Sequence, residues 1–144
     1  MRSEYAALAR QINNSNTFSL FWHINPDADC VGSSMALKIM LEQSGKKATI
    51  YSDCEVQEQL AFLNAAYEVY DSSKNYPQAD MAICLDCGSF ERAGKVGGLF
   101  KSSLVTANLD HHGTNPLFAD INIVNPDAVA TAEIVYELIE ALGA

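Results

Sequence analysis

The sequence predicts an α/β fold, a three-layer sandwich with a mostly parallel sheet and helices on both faces. Short β-type runs alternate with longer helical ones, the pattern of strands joined by helical crossovers. One run, Met81–Leu85 (M-A-I-C-L), has no polar alternation, as expected for a strand covered on both faces. With 144 residues, 49% apolar and 19% charged, the chain can bury one ordinary core. That length fits one domain rather than two.

The elements follow in order. Thr17–His23 (T-F-S-L-F-W-H) reads as a buried strand. Val31–Ser44 reads as a helix, with Val31, Met35, Ile39 and Leu41 near one face and Gly45 as its stop. Ala48–Tyr51 is a strand, Gln57–Ala65 a short helix and Glu68–Tyr70 another short strand. After Met81–Leu85, Phe90–Phe100 holds a short helix weakened by Gly94, Gly97 and Gly98. Leu104–Asp110 and Ile121–Val124 are strands. Thr131–Leu142 closes the chain as a helix with Ile134, Val135, Leu138, Ile139 and Leu142 apolar.

Lys and Arg number 9 against 18 Asp and Glu, a net charge of −9. A passive binder of long nucleic-acid duplexes needs the opposite balance. A phosphate substrate stays open, because carboxylates can hold metals that supply positive charge. No apolar run approaches the roughly 18 residues of a membrane span. The N-terminus, with Glu4, Gln11, Asn13 and Asn14, lacks the apolar stretch of a signal peptide. The expectation is a soluble cytoplasmic protein whose four cysteines (Cys30, Cys54, Cys84, Cys87) are reduced. Cys84 and Cys87 spell C-x-x-C, but residues three apart in a strand face opposite sides and no second pair exists. Neither zinc nor disulfide chemistry is expected of them.

Three clusters stand where strands run out: His23-Ile24-Asn25-Pro26-Asp27-Ala28-Asp29, Asp86, and Asp110-His111-His112. In such folds the site lies at the carboxyl ends of the strands. Asp is rarely buried unless it is paired or binds a metal. Asp27, Asp29, Asp86 and Asp110 bring four negative charges to one edge, which two divalent ions would cancel. Carboxylate and imidazole ligands suit Mn²⁺, Mg²⁺, Fe²⁺ or Zn²⁺. Two metals about 3.5–4 Å apart are the usual device for phosphate-ester hydrolysis. Read singly, His23 could be a core histidine and Asp86 the cap of a following helix. Arg92 follows Asp86 closely enough to meet a phosphate, or is a surface cation. Ser33 and Ser34 read as helix residues rather than nucleophiles, and Asn25 and Asn108 as loop holders.

H-I-N-P-D-A-D, then L-D-C, then L-D-H-H-G-T-N, followed by Phe118–Asn122 and the T-A-E-I-V-Y-E-L helix, resembles the DHH phosphoesterase superfamily. The likeness is to its branch of nano-RNases that also act as phosphatases on 3′-phosphoadenosine 5′-phosphate. Related members cleave cyclic di-AMP or its linear product. The resemblance implies that His23 and Asp27 bind one metal, that Asp29 and His111 bind the other, and that Asp86 bridges both. It implies that Asp110 orients His111, that His112 faces the substrate phosphate, and that the ion is Mn²⁺, with Mg²⁺ an alternative. Catalysis would then rest on Asp86, Asp110, His111 and His112, and substrate binding on His112 and Arg92.

A fourth-motif Asp downstream and a C-terminal substrate-binding domain are part of the family pattern, and neither lies within residues 1–144. The expectation is a truncated N-terminal catalytic domain, with a weak second metal, low turnover, and apolar surface through which a homodimer could form. Expected substrates are short oligonucleotides or nucleotide phosphates. The alternatives are a Mn-dependent inorganic pyrophosphatase or exopolyphosphatase, or an inactive nucleotide-binding fragment.

Overall fold

Alternate side chains of the central strands enter two different cores. From Thr17–Trp22 (β1), Phe18, Leu20 and Trp22 enter one core and Phe21 the other. From Met81–Leu85, Met81, Ile83 and Leu85 enter the first, while Ala82 and Cys84 enter the second. This period-two division between two apolar layers is what an unbroken apolar strand requires. The computed structural model describes residues 2–143. Among them, six strands form one sheet: β1, Lys47–Ser52 (β2), Glu68–Val69 (β3), Met81–Leu85 (β4), Val105–Asp110 (β5) and Ile121–Val124 (β6). Their order is β3-β2-β1-β4-β5-β6, and all neighbouring pairs are parallel. The strand order reverses between β1 and β4, the switch point beside which α/β folds place ligands.

The first face carries Arg2–Asn13 (α1), Ala28–Gln43 (α2) and Thr131–Ala141 (α4). α1 is the element the sequence reading omitted. Its signal is Tyr5, Leu8, Ala9 and Ile12, all buried and spaced i, i+3, i+4, i+7. Truncating Leu8 or Ile12 to Ala should cost about 2–5 kcal/mol. α2 starts three residues earlier than expected, because Asp27 caps it by accepting from Cys30 N at 2.9 Å. Its buried face is Val31, Leu37, Met40 and Leu41; Met35 is only partly buried, and Ile39 is half exposed rather than internal. Residues 57–65 make a 3₁₀ segment, Glu58–Leu63, rather than an α-helix. Its two apolar anchors, Leu60 and Leu63, are three apart and suit that tighter period.

The second face is thinner. Phe90–Val96 is 3₁₀ and is followed by a short helix, Gly97–Lys101 (α3), so the expected single helix is broken. The break is Gly94 at φ 71°, where a Cβ would sit 2.5 Å from Asp53 Oδ1 and 2.6 Å from Ile24 Cγ2. Phe118, from the helix-free crossover 111–120, packs against Phe90 and Phe100 and completes this layer. Cys84 and Cys87 enter the same core, both reduced. The expectation that they face opposite sides fails because the strand ends at Leu85 and Asp86, at φ 65°, turns the chain back. No described helix is long and apolar enough to cross a membrane.

Candidate metal centre

The three histidines of the chain all line one open cleft of about 690 Å³. Asp27, Asp86, Gly88, Ser89, Arg92, Thr114 and Pro116 complete its wall. It lies at the carboxyl ends of β1, β4 and β5, beside the switch point.

Asp86 is the centre of the arrangement. It is 3% exposed and follows β4 directly. Its N–H donates to Leu109 O at 2.8 Å, which ties the turn to β5. It caps nothing; the residue before the 3₁₀ segment is Ser89. One carboxylate oxygen, Oδ2, lies 3.3 Å from His23 Nε2, and the other, Oδ1, lies 3.3 Å from His111 Nε2. Oδ1 also accepts from Thr131 Oγ1 at 3.0 Å. Burial pushes the carboxyl pKa up, but the hydrogen bonds from His23 and Thr131 and the charges of His23 and His111 outweigh it and hold the pKa below the ordinary value.

His23 is buried just beyond β1. Its Nδ1–H donates to Ile24 O at 2.6 Å, which leaves Nε2 facing Asp86 and, at 3.9 Å, Asp27. The bond to Asp86 raises its pKa, against the burial that lowers it. Donor atoms of His23, Asp27, Cys30 and Asp86 all lie within 4.8 Å of one another. Cys30, expected from the sequence only as a reduced cysteine, is fully buried here. Its place on the first turn of α2, three residues after Asp27, brings its sulfur into this group.

The second group shares Asp86 with the first. Asp86, His111 and His112 offer donors within 4.8 Å of one another. Asp29 instead turns to α4. Its Oδ2 accepts from Thr131 N and its Oδ1 from Ala132 N, both at 3.0 Å, and Oδ2 stays 3.8 Å from His111 Nε2. Asp110 does hold an imidazole, but that of His112 rather than His111: Oδ1 meets His112 Nδ1 at 2.5 Å. Asp110 is fully buried, and its Oδ2 accepts from Asn115 Nδ2 at 2.9 Å. Asn115 and Asn108 both donate to Cys87 O at 3.1 Å, so Asn108 does hold a loop. Of the four carboxylates expected at this edge, Asp27 and Asp86 line the cleft.

Arg92 is exposed on the cleft wall, and its carbonyl accepts from Ile24 N at 2.7 Å. Lys95 N donates to Asp53 Oδ1 at 2.5 Å, pinning the segment that carries Arg92 to the end of β2. Ser33 Oγ donates to Asp29 O at 2.6 Å and is buried, so it holds the helix rather than attacking a substrate.

Residues 17–144 match the DHH family, N-terminal domain. The chain belongs to this family. Among its relatives is the bifunctional oligoribonuclease and PAP phosphatase NrnA of Thermus thermophilus, 36% identical over 121 residues. That match covers 84% of this DHH chain but 36% of the relative, so the chain spans little more than a third of its length. An exopolyphosphatase-related protein from Bacteroides fragilis superposes with a TM-score of 0.91 at 22% identity, covering 99% of this chain and 44% of that one. The exonuclease RecJ, crystallised with manganese, superposes at 0.57 with 20% identity over 96% of this chain and 36% of its own.

Proposed function

We propose that this chain is a metal-dependent phosphoesterase domain that hydrolyses short oligoribonucleotides or small nucleotide phosphates, with Mn²⁺ as its ion. The observation that carries this reading is the double engagement of Asp86, one imidazole on each oxygen at 3.3 Å. One carboxylate is thereby shared by two donor sets. His23, Asp27 and Asp86 form the first, and His111 with Asp86 forms the second, beside which Asp29 Oδ2 lies 3.8 Å from His111 Nε2. Oxygen and imidazole donors of this kind fit Mn²⁺ or Mg²⁺, and the family likeness to a manganese-bound RecJ favours Mn²⁺. Bound divalent ions would supply an acidified water and neutralise phosphoryl charge.

The chain's own residues do the rest. Asp110 holds the Nδ1 side of the His112 ring, which leaves Nε2 for the substrate, where with a proton of its own it donates to a phosphate oxygen. Arg92 adds a fixed positive charge to a wall otherwise rich in carboxylates. A cleft of about 690 Å³ accommodates a nucleotide, and the net charge of −9 disfavours a long duplex. The named activities of NrnA support this substrate class.

The test is turnover with manganese chloride on 3′-phosphoadenosine 5′-phosphate, a 5′-labelled diribonucleotide and inorganic pyrophosphate. Release of phosphate or mononucleotide, abolished by Asp86→Asn, is the expected result. Hydrolysis of pyrophosphate alone would move the protein to the pyrophosphatase reading, and nucleotide binding without any turnover would overturn the proposal.

A further inference from the structure

We infer that Thr131, with the first turn of α4, is a positioning device for the metal centre. This rests on the reading above and deepens it. α4 begins after Ala130, which has extended backbone (φ −160°) and no side chain able to cap. The first N–H groups of a helix need acceptors. Those of Thr131 and Ala132 find them in Asp29, at 3.0 Å each, more than a hundred residues away in sequence. The Thr131 hydroxyl, fully buried, donates to Asp86 Oδ1 at 3.0 Å.

Three donors from one helical turn therefore fix two carboxylates of the centre. The arrangement is electrostatically apt, because the positive end of a helix favours anions. It also divides labour on Asp86: Oδ1 is held by Thr131 and lies beside His111, while Oδ2 remains for His23. A carboxylate that must serve two donor sets needs its torsion fixed, and the threonine hydroxyl is a donor from outside both sets. Thr131 does not line the cleft, so its role is to orient Asp86. Partners of this outer kind are worth about 10–100-fold in metal affinity.

The experiment compares the unsubstituted protein with Thr131→Val and Thr131→Ser. Valine keeps the shape and loses the hydroxyl; serine keeps the hydroxyl. Each is titrated with manganese chloride, with free Mn²⁺ read by electron paramagnetic resonance, and each is checked for its metal-free unfolding curve. The expected result is a 10–100-fold weaker manganese affinity in Thr131→Val and near-normal affinity in Thr131→Ser, with both variants folded. Equal affinity in Thr131→Val overturns the inference while leaving the phosphoesterase reading intact. Failure of the unsubstituted protein to take up manganese overturns both. Should Thr131→Val fail to fold, Thr131→Ala takes its place in the comparison with serine: affinity lost in alanine and kept in serine supports the role, and affinity kept in both removes it.

Discussion

At the amino end of the sheet, Asp80 Oδ2 accepts from Asn16 N at 2.8 Å and Thr17 N at 3.2 Å, while its own N–H donates to Thr17 Oγ1 at 2.9 Å. Asp120 does the same for Thr106, accepting from its N–H and hydroxyl at 2.9 and 3.1 Å. These carboxylates join the start of one strand to its neighbour. At the carboxyl end, Asp86 meets two imidazoles and a hydroxyl from three different elements, and Asp27 accepts from one N–H only. The difference separates an aspartate that closes a local backbone turn from one that stays available across a cleft. Burial alone does not separate them, since Asp110, fully buried at the carboxyl end, is also fully partnered.

The largest effect should come from Asp86→Asn. It removes the shared charge, keeps a residue tolerant of φ 65°, and should cut turnover by about a thousandfold or more and abolish manganese uptake. Measurable turnover above a tenth of normal would erase the distinction between the two ends. Next is Asp110→Asn, which changes what holds His112. We expect turnover to fall about a hundredfold, with manganese affinity kept; a matching loss of affinity would instead make His112 a ligand.

A smaller and graded effect comes from pH. Metal binding requires neutral His23, whose pKa is raised by Asp86. Manganese affinity should be steady above that raised value and fall about tenfold per pH unit below it. In the metal-free protein, the His23 contribution to stability is present at low pH and lost as pH rises through its raised pKa. The Asp86 contribution is present above the ordinary carboxylate pKa and lost as pH falls through its depressed one. Metal-free stability should therefore peak between the two, and denaturant midpoints across pH would reveal a peak elsewhere.

The smallest effect on function belongs to the amino end. Asp80→Asn should leave manganese affinity and turnover unchanged and lower only the unfolding midpoint. The hydrogen bonds from Asn16 and Thr17 depress the Asp80 pKa, so its contribution is present above the ordinary carboxylate value and disappears as acid protonates it. Altered turnover in this variant would show that the two ends are coupled.

The strands and the clusters at their ends were legible because parallel strands show continuous apolar runs and the chemistry begins where the runs stop. His23, Asp86, His111 and His112 converge for that reason. Other pairings were hidden. Asp29 caps a helix that begins 102 residues later, and no local signal marks that. Asp110 chooses the second histidine rather than the first because β5 ends there, and only the backbone beyond it decides which ring comes back. The turn at Asp86 likewise undid the strand rule applied to Cys84 and Cys87. α1 carries a local signal as well, in the i, i+3, i+4, i+7 spacing of Tyr5, Leu8, Ala9 and Ile12.

The crossover 111–120 has no helix, yet it is fastened at two points. Asn115 anchors its middle to Cys87 and Asp110, and Phe118 seats its far end among Phe90 and Phe100. Thr114 and Pro116 thus border the cleft on a short strap that shares Asp110 with His112 through Asn115. Changes confined to those two positions would reshape the opening while leaving Asn115, Asp110 and Phe118 in place to hold the strap.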